Sequence, residues 1–427
     1  MIQHRAHAST RRAASAEPLS CCRGCGSHDL SLVLDLGQMP LVNALSADQG
    51  VAIAAPRFPL ALVFCGGCSL VQLSHDVAPE ALFSDYTYFS SYSETMLRHV
   101  ERLTEELTAK RALDKNSLVV EIASNDGYLL QYYRAKGVPV LGIEPAHNVA
   151  RVAIEQRQIP TIVEFFGVEL AMRLGCHGVL ADVVHAHNTL AHTPHLAGFI
   201  HGLGKILRPE GVVCIEVPHV VSLVESSAFD TIYHEHYSYF SLTTIERLFA
   251  AEGLTVTRVE KHAIHGGSLR VYARLSARGV RADASVAKLR AEEAAWGVDN
   301  PDTYRALAER AVAMRDGLRK LVKNARRRGK PIAAYGASAK GCVTLNFAQL
   351  GADDVAFVVD KSPHKQGRFV PGSGVPILAP EELVASMPEL TLLTTWNLRE
   401  EILAQQSEYR RRGGRFVVPV PHVEVLP

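Results

Sequence analysis

Within nine consecutive residues, Tyr233 to Ser241, the chain reads YHEHYSYFS, a run of three phenols, two imidazoles and a carboxylate. Each of these groups needs a polar partner when buried, so ordinary core packing does not call for the mixture. It is a set of proton-handling groups. A second set, DVVHAHNTLAHTPH, holds His185, His187, His192 and His195. On a strand His185 and His187 share one face, because side chains alternate with period two. Three readings follow for these imidazoles: one or two catalytic groups, which is the preferred reading, structural histidines with satisfied hydrogen bonds, or a metal site.

Four of the eight cysteines fall in two pairs, Cys22 and Cys25 in CRGCG and Cys65 and Cys68 in CGGCS. Two thiolate pairs, each with a two-residue gap and glycine alongside, have the layout of a tetrahedral zinc site built from two knuckles. With no open position and no neighbouring histidine in the motif, the expected role of the zinc is structural. The competing reading is two disulfides or free thiols. A zinc-thiolate site implies a reducing, cytoplasmic setting.

The elements that must position these groups are short apolar runs alternating with helix-length segments. SLVVEIAS, PVLGIEP, GVLADVVHAHN and GVVCIEVP predict a parallel α/β sheet, and KPIAAYGASAKG, DDVAFVVDKSP and LTLLTTWN predict a second, shorter one. A charged helical stretch from about residue 282 to 328 joins them, interrupted at NPDTY. The expected organisation is a disordered tail over 1–20, a zinc-binding module over 21–75, an α/β domain over 76–280, and a helical connector with a C-terminal α/β domain over 281–427. The tail is basic and Ala/Ser-rich without the apolar centre of a secretory signal. No apolar run approaches the roughly 20 residues of a membrane span. A formal charge of +1 gives no electrostatic case for a nucleic-acid partner.

In VVEIASNDGYLL a strand runs into a tight polar turn and a helix start, placing Glu121, Asn125, Asp126 and Gly127 at the carboxyl edge of the sheet. Ala123 stands where a dinucleotide fingerprint would have glycine, and the carboxylates would repel a pyrophosphate. An aminocarboxylate-sulfonium ligand suits the turn better. One strand later Glu144 ends LGIEP, where a carboxylate can accept both ribose hydroxyls of a nucleoside. In this order and spacing the pieces resemble the S-adenosylmethionine fold of the Rossmann-like methyltransferase class. In the second series YGASAKG is a strand-to-helix turn whose amides could face a phosphate, with Gly336, Ser338 and Lys340 on it and Lys361 beyond the next strand. Arg270, in HGGSLRVY, is either a salt-bridge partner or a substrate contact.

Taken together, CRGCG…FCGGC, EIASNDGYLL, NTLAHTPHL, YHEHYSYFS, HGGSLRVY, YGASAKG and VVDKSPHKQGRFVPG resemble the three-domain sugar C-methyltransferases of deoxysugar biosynthesis. The resemblance runs from Cys22 to the C-terminus. It implies an S-adenosylmethionine-dependent enzyme that methylates carbon 3 of a nucleotide-linked 4-keto-6-deoxyhexose, with dTDP the expected nucleotide and a monomer or homodimer the expected assembly. It implies His236 as the base supported by Glu235, Tyr233 and His192 near the keto oxygen, and Tyr86 or Tyr88 closing the site. Asn188 joins the expected cofactor contacts. Departures are Ala123 for the usual glycine and His187 where many relatives carry Asn. The competing functions are O- or N-methylation on the same scaffold, an NAD-dependent sugar-nucleotide oxidoreductase or epimerase, and a zinc-dependent nucleic-acid module. YGASAKG speaks against the dinucleotide reading, since it reads G-x-S-x-K-G and has Ser338 at the third position of that fingerprint instead of glycine.

Overall fold

The computed structural model describes residues 15–83 and 89–426, so Tyr86 and Tyr88 lie outside the described residues. Three sheets carry the architecture. In the N-terminal module Leu30–Pro40, Arg57–Cys65 and Val71–Leu73 form an antiparallel sheet. Its middle strand alternates as period-two patterning requires, burying Phe58, Leu60, Leu62 and Phe64. The fourth strand of this sheet is Ser238–Tyr239, which pairs with Gln72 and Val71. The YHEHYSYFS segment is thus partly an edge strand of the cysteine-rich module. The disordered tail is expected through residue 20, but within it Ala16–Pro18 pairs antiparallel with His75–Val77; residues 1–14 lie outside the described residues.

The central sheet has seven strands in the order Leu254–His262, Ser268–Leu275, Leu207–Pro218, Ala181–His187, Val119–Ile122, Val140–Ile143, Thr161–Ile162. The last five run parallel, and Ser268–Leu275 enters antiparallel to both of its neighbours. Every residue of Val119–Ile122 is buried, as expected for a parallel strand covered on both faces. The C-terminal sheet repeats the logic with Ile377–Leu378, Val358–Val359, Ile332–Tyr335, Leu390–Leu393 and Arg415–Val418 in parallel, closed by antiparallel Glu424–Val425. In each sheet the first strand lies between its second and fourth, which opens a ligand crevice at the carboxyl ends.

The helical stretch between the two sheets is not a free connector. Its first helix, Ala284–Trp296, puts Val286 and Leu289 into the core of the central domain. The predicted interruption is a 3-10 turn at Pro301–Tyr304. The second helix, Arg305–Arg327, buries Leu307, Ala311, Met314, Leu318, Val322 and Ala325, a stripe at three- and four-residue spacing. That stripe packs against both Leu34 and Leu36 of the N-terminal module and Ile332 and Leu392 of the C-terminal sheet. The module is also tied to the C-terminal domain through Arg57 Nη2, which donates to the Gly372 carbonyl at 3.1 Å, and Gln49 Nε2, which donates to the Gly374 carbonyl at 3.0 Å. Among the described residues no helix is long and apolar enough to cross a membrane.

Candidate active site

The four sulfurs of Cys22, Cys25, Cys65 and Cys68 lie within 4.8 Å of one another. Cys22 to Cys68 and Cys25 to Cys65 are both 3.6 Å apart. A zinc ion bound at about 2.3 Å by four tetrahedral thiolates needs sulfurs about 3.8 Å apart, so the donor set fits that ion. The thiol charges are coupled. A hydrogen bond from Cys68 pulls Cys22 down to about 4, whereas burial pushes Cys65 up to about 11. A dication at the centre favours the thiolate at every position.

From the cysteines the chain leads directly to the imidazoles. Arg23, between the first two cysteines and with a side chain 2% exposed, is ion-paired to Asp76. Its Nη1 donates to the Leu73 carbonyl at 2.7 Å and more weakly to the Tyr237 carbonyl at 3.4 Å. Leu73 N–H donates to the Tyr237 carbonyl at 2.9 Å, and Tyr237 N–H donates to the Ala191 carbonyl at 2.8 Å, beside His192. Tyr237 therefore joins the module sheet to the turn that carries His192.

His192 and His236 stack with ring centroids 5.0 Å apart, and Phe83 covers the other face of His192 at 5.3 Å. His236 Nδ1 is 2.9 Å from the Thr231 carbonyl, an acceptor only, so Nδ1 carries the proton. The lone pair is then on Nε2, where the Tyr233 hydroxyl donates at 2.9 Å. Burial pulls His192 down to about 4, which keeps it neutral. Glu235 was expected beside His236, but the bond its carboxylate makes runs away from it: Oε1 accepts from Asn43 Nδ2 of the N-terminal module at 2.6 Å. Residues 233–236 form a turn closed by His236 N–H donating to the Tyr233 carbonyl at 2.9 Å, and the His236 tautomer is set by the Thr231 backbone instead.

Burial pushes Glu235 up to about 7 from 4.5, against the opposing Asn43 bond. Between about pH 4.5 and 7 the folded chain holds a proton that the unfolded chain releases, so stability falls as pH rises through this window. The full penalty, roughly 3 kcal/mol, is present above pH 7. Glu235→Gln keeps an acceptor for Asn43 and removes the slope. Its thermal midpoint should exceed that of the parent by a margin that grows from pH 5 to pH 8; a constant margin would show that Glu235 does not titrate in the fold.

These groups line one end of a cavity of 2140 Å³ that continues along the carboxyl edges of both α/β sheets. A drug-sized ligand occupies about 300–1,000 Å³, so this volume admits two ligands together. On the central sheet the wall includes Ala123, Asn125, Glu144 and Asn188. Ala123 and Asn125 have φ of 53° and 50°, the left-handed conformation that the tight turn requires and that glycine adopts most readily. Glu121, Asp126 and Gly127 lie behind the wall, and burial followed by the charges of Asp126 and Glu144 pushes Glu121 well above the carboxylate range. Glu144 accepts from Asn125 N–H at 3.0 Å and from Ala146 N–H at 2.8 Å. Burial outweighs these two amides and pushes it up to about 7. A carboxylate held open to the cavity at this strand end, with backbone amides fixing its plane, fits a nucleoside diol. If Glu144 takes the ribose of S-adenosylmethionine as the sequence leads one to expect, its ionised form is the acceptor and affinity should rise about tenfold between pH 6 and 8. Glu144→Gln should abolish that dependence in a calorimetric titration; a pH-independent parent would sink the assignment.

On the C-terminal sheet Ser338, Lys340 and Lys361 line the same cavity, and Gly336 lies just behind it. Gly336 has φ of 102°, and a Cβ there would meet Thr395 Cγ2 at 2.6 Å. Ser338 caps the helix Ala339–Phe347 by accepting from Gly341 N–H. Lys340 Nζ sits 4.7 Å from the centre of the Trp396 ring, and burial lowers its pKa.

Arg270 does not reach the cavity. Its Nε donates to Glu216 Oε2 at 3.1 Å, inside a cluster with His99 and Glu260. Burial alone would raise Glu216, but the His99 bond and the nearby cationic groups hold it far below the usual carboxylate range. His185 and His187 belong to the same network. Tyr133 hydroxyl donates to His185 Nε2 at 3.0 Å, and His185 Nδ1 lies 2.9 Å from His187 Nε2. Burial lowers both pKa values, and one consistent direction of donation satisfies both rings as neutral imidazoles. Asn43, the Thr231 carbonyl and Asp360 line the site without having been singled out from the sequence. Only Asp360 had a readable signal, as an acid ending the apolar run VAFVV.

Family models match the whole arrangement in three consecutive pieces: a zinc binding domain over residues 22–83, a methyltransferase domain over 92–259, and a C-methyltransferase C-terminal domain over 263–421. C-methyltransferase NovU of Streptomyces niveus is 36% identical over 409 residues, covering 96% of this chain and 97% of that protein. Among solved structures, magnesium protoporphyrin IX methyltransferase (ChlM) from Synechocystis PCC 6803 with bound SAM matches at 14% identity and a TM-score of 0.33, covering 42% of this chain and 79% of that chain. The PH0226 protein of Pyrococcus horikoshii OT3 matches at 16% identity and a TM-score of 0.37, covering 46% and 98%. With its cysteine cluster, its central sheet and a full-length relative, the chain belongs to the S-adenosylmethionine-dependent C-methyltransferase family that includes NovU.

Proposed function

We propose that the substrate is a nucleotide-linked 4-keto-6-deoxyhexose, methylated at carbon 3 after a base has removed the proton from that carbon. The observation that carries this reading is the His236 pair of bonds, Nδ1 to the Thr231 carbonyl and Nε2 to the Tyr233 hydroxyl, both at 2.9 Å. Such a pair leaves one basic nitrogen and one acidic hydroxyl side by side. A carbon acid next to a ketone needs both: a base at the carbon and a donor at the oxygen that gains charge. When the Tyr233 hydroxyl turns from Nε2 to the keto oxygen, it frees the lone pair that accepts the proton. Neutral His192, stacked on His236, adds an apolar-faced ring that limits water at the enolate. S-adenosylmethionine, held by Glu144 with Ala123 and Asn125 of the turn and by Asn188, supplies the electrophilic methyl group, while Asp126 and Gly127 shape the turn from behind. An O- or N-methyltransferase would need only a base near a more acidic proton.

The 2140 Å³ cavity spanning both sheets supports a large second ligand, with the diphosphate at the start of the helix Ala339–Phe347 and the sugar reaching toward His236. Lys340 and Lys361 add positive charge there. The test is incubation of nucleotide-linked 4-keto-6-deoxy sugars with enzyme and S-adenosylmethionine in light and heavy water, read by mass spectrometry. A methyl on carbon, with solvent deuterium entering unmethylated substrate, is expected. A methyl on oxygen or nitrogen would overturn the mechanism.

A further inference from the structure

The carbonyl that fixes the His236 tautomer belongs to a short segment held from the far end of the chain. Thr231 closes the 3-10 turn Phe229–Thr231, and its carbonyl accepts from His236 Nδ1 at 2.9 Å and more weakly from the Tyr239 hydroxyl at 3.4 Å. One residue earlier Asp230 is fully buried, and its Oδ2 accepts from the indole Nε1–H of Trp396 at 2.8 Å. Trp396 lies just past the strand Leu390–Leu393 of the C-terminal sheet, 166 residues away. The other oxygen of this carboxyl, Oδ1, has no hydrogen-bond partner among the described residues. One residue earlier again, the Phe229 ring packs on Phe347, the last residue of the helix Ala339–Phe347, with centroids 5.3 Å apart.

The surroundings of the indole fit that one ring. Gly266, in the HGGSLRVY motif, has φ of 90°, and a Cβ there would lie 3.2 Å from Trp396 Cη2. This glycine leaves the notch that the edge of the indole occupies. The Lys340 ammonium lies 4.7 Å from the ring centre. Upstream of the turn, Arg310 of the connector helix Arg305–Arg327 donates from Nε to Ser227 Oγ at 2.6 Å and from Nη2 to the Val224 carbonyl at 2.5 Å. Residues 224–231 are therefore fixed by chain beyond residue 300. A buried carboxyl is costly unless a donor meets it, and a hydrogen bond is directional. The indole bond thus sets where Asp230 sits, and with it the adjoining carbonyl of Thr231.

We propose that Trp396, through Asp230, is a positioning residue for His236, so that the C-terminal domain contributes to proton abstraction in the central domain. This rests on the reading of His236 as the base. The path is short: indole to carboxyl, one residue along the backbone to the Thr231 carbonyl, and from there to Nδ1. Tyr233, which donates to Nε2 of the same ring, packs on the same apolar core as Trp396. Displacement of a reacting group by about 1 Å can cost about a hundredfold in rate, so a distant bond that fixes a base has a measurable effect.

The experiment uses the full-length enzyme labelled with ¹⁵N-histidine, the His236 Nδ1–H signal being the one lost in His236→Asn. In Trp396→Phe, which keeps an aromatic ring and removes the donor, that signal is expected to shift and its proton to exchange faster with water. Deuterium entry into a 4-keto-6-deoxy sugar and kcat for methylation should fall about ten- to a hundredfold, with KM for the sugar and S-adenosylmethionine affinity unchanged. Asp230→Ala should have the same effects, and Asp230→Asn, which retains an acceptor for the indole, should recover most of what alanine loses. If Trp396→Phe does not fold, the two Asp230 variants measure the same bond from its other side. A His236 signal and kcat untouched by loss of the bond, a rise in sugar KM at constant kcat, or an asparagine as damaging as alanine overturns the assignment. A His236 signal that follows the bond, with no deuterium entry into any keto sugar in the parent enzyme, would uphold the positioning and overturn the base. Deuterium entry in the parent with a signal indifferent to the bond would do the reverse.

Discussion

Replacing His236 with asparagine is expected to lower C-methylation by about 10²- to 10⁴-fold, the usual contribution of a positioned general base. The choice of asparagine follows from the hydrogen bonds. Its amide can still donate to the Thr231 carbonyl, the bond that now holds Nδ1 at 2.9 Å, while the basic Nε2 disappears. The local fold has little reason to change, and the cofactor wall at Glu144 belongs to another strand. The expected result is therefore a folded enzyme with parental S-adenosylmethionine affinity, no deuterium entry into a keto sugar and almost no product. Tyr233→Phe separates the roles further. If His236 takes the proton directly, deuterium entry survives that change in part, while methylation falls with the lost donor at the keto oxygen. A His236→Asn enzyme that folds, binds cofactor and turns over normally would remove His236 from the mechanism.

The second large effect is expected from the metal. Replacing Cys65 with serine, or chelating the zinc, should end methylation although none of the four cysteines reaches the imidazoles. Binding of a structural zinc is worth on the order of 10–16 kcal/mol, as much as the whole stability of a typical domain, so a module without it does not hold its shape. That shape is what positions His236, the proposed base. Ser238 and Tyr239 are an edge strand on Gln72 and Val71, Tyr237 is bonded to Leu73, and Arg23 clamps both carbonyls from between Cys22 and Cys25. Asn43, which holds Glu235, comes from the same module. Glu144, the proposed acceptor of the cofactor's ribose, instead follows a strand of the central sheet, so binding of S-adenosylmethionine should persist in the metal-depleted enzyme. Metal content by mass spectrometry, cofactor titration and deuterium entry, measured on one sample, check this order of loss. Full turnover in protein with no bound metal would show that the module does not support the base.

Much of the molecule was legible as residue types at fixed intervals. Two Cys-x-x-Cys pairs announce four sulfurs around one ion because a knuckle is a local structure, complete within four residues. The turn from Glu121 to Gly127 and the acid Glu144 were readable for the same reason, since strand, turn and helix start are consecutive in the chain. The zinc binding domain and the methyltransferase domain followed from such local signals. The content of YHEHYSYFS, rich in proton-handling groups, was visible before any contact was known.

Which atoms of those groups face each other depended on contacts between distant segments, and there only the tertiary structure decided. Arg270 could be read as a substrate contact or a salt-bridge partner, and the partner 54 residues away, Glu216, buries it. Glu235 stood next to His236 in the chain but answers to Asn43, 192 residues earlier. His185 and His187 share a strand face, yet it is Tyr133, 52 residues from His185, that bonds the first ring, and Glu216 that lies 3.9 Å from the second. Asp360 accepts from Ala337 N–H, 23 residues earlier, as Glu144 accepts from Asn125 N–H, 19 residues earlier. The sequence by itself determined which chemistry the chain carries, because residue type and local spacing set what a short segment can bind. The fold decided which group serves which, because a buried polar atom is defined by whatever partner the packing of remote segments brings within hydrogen-bond reach.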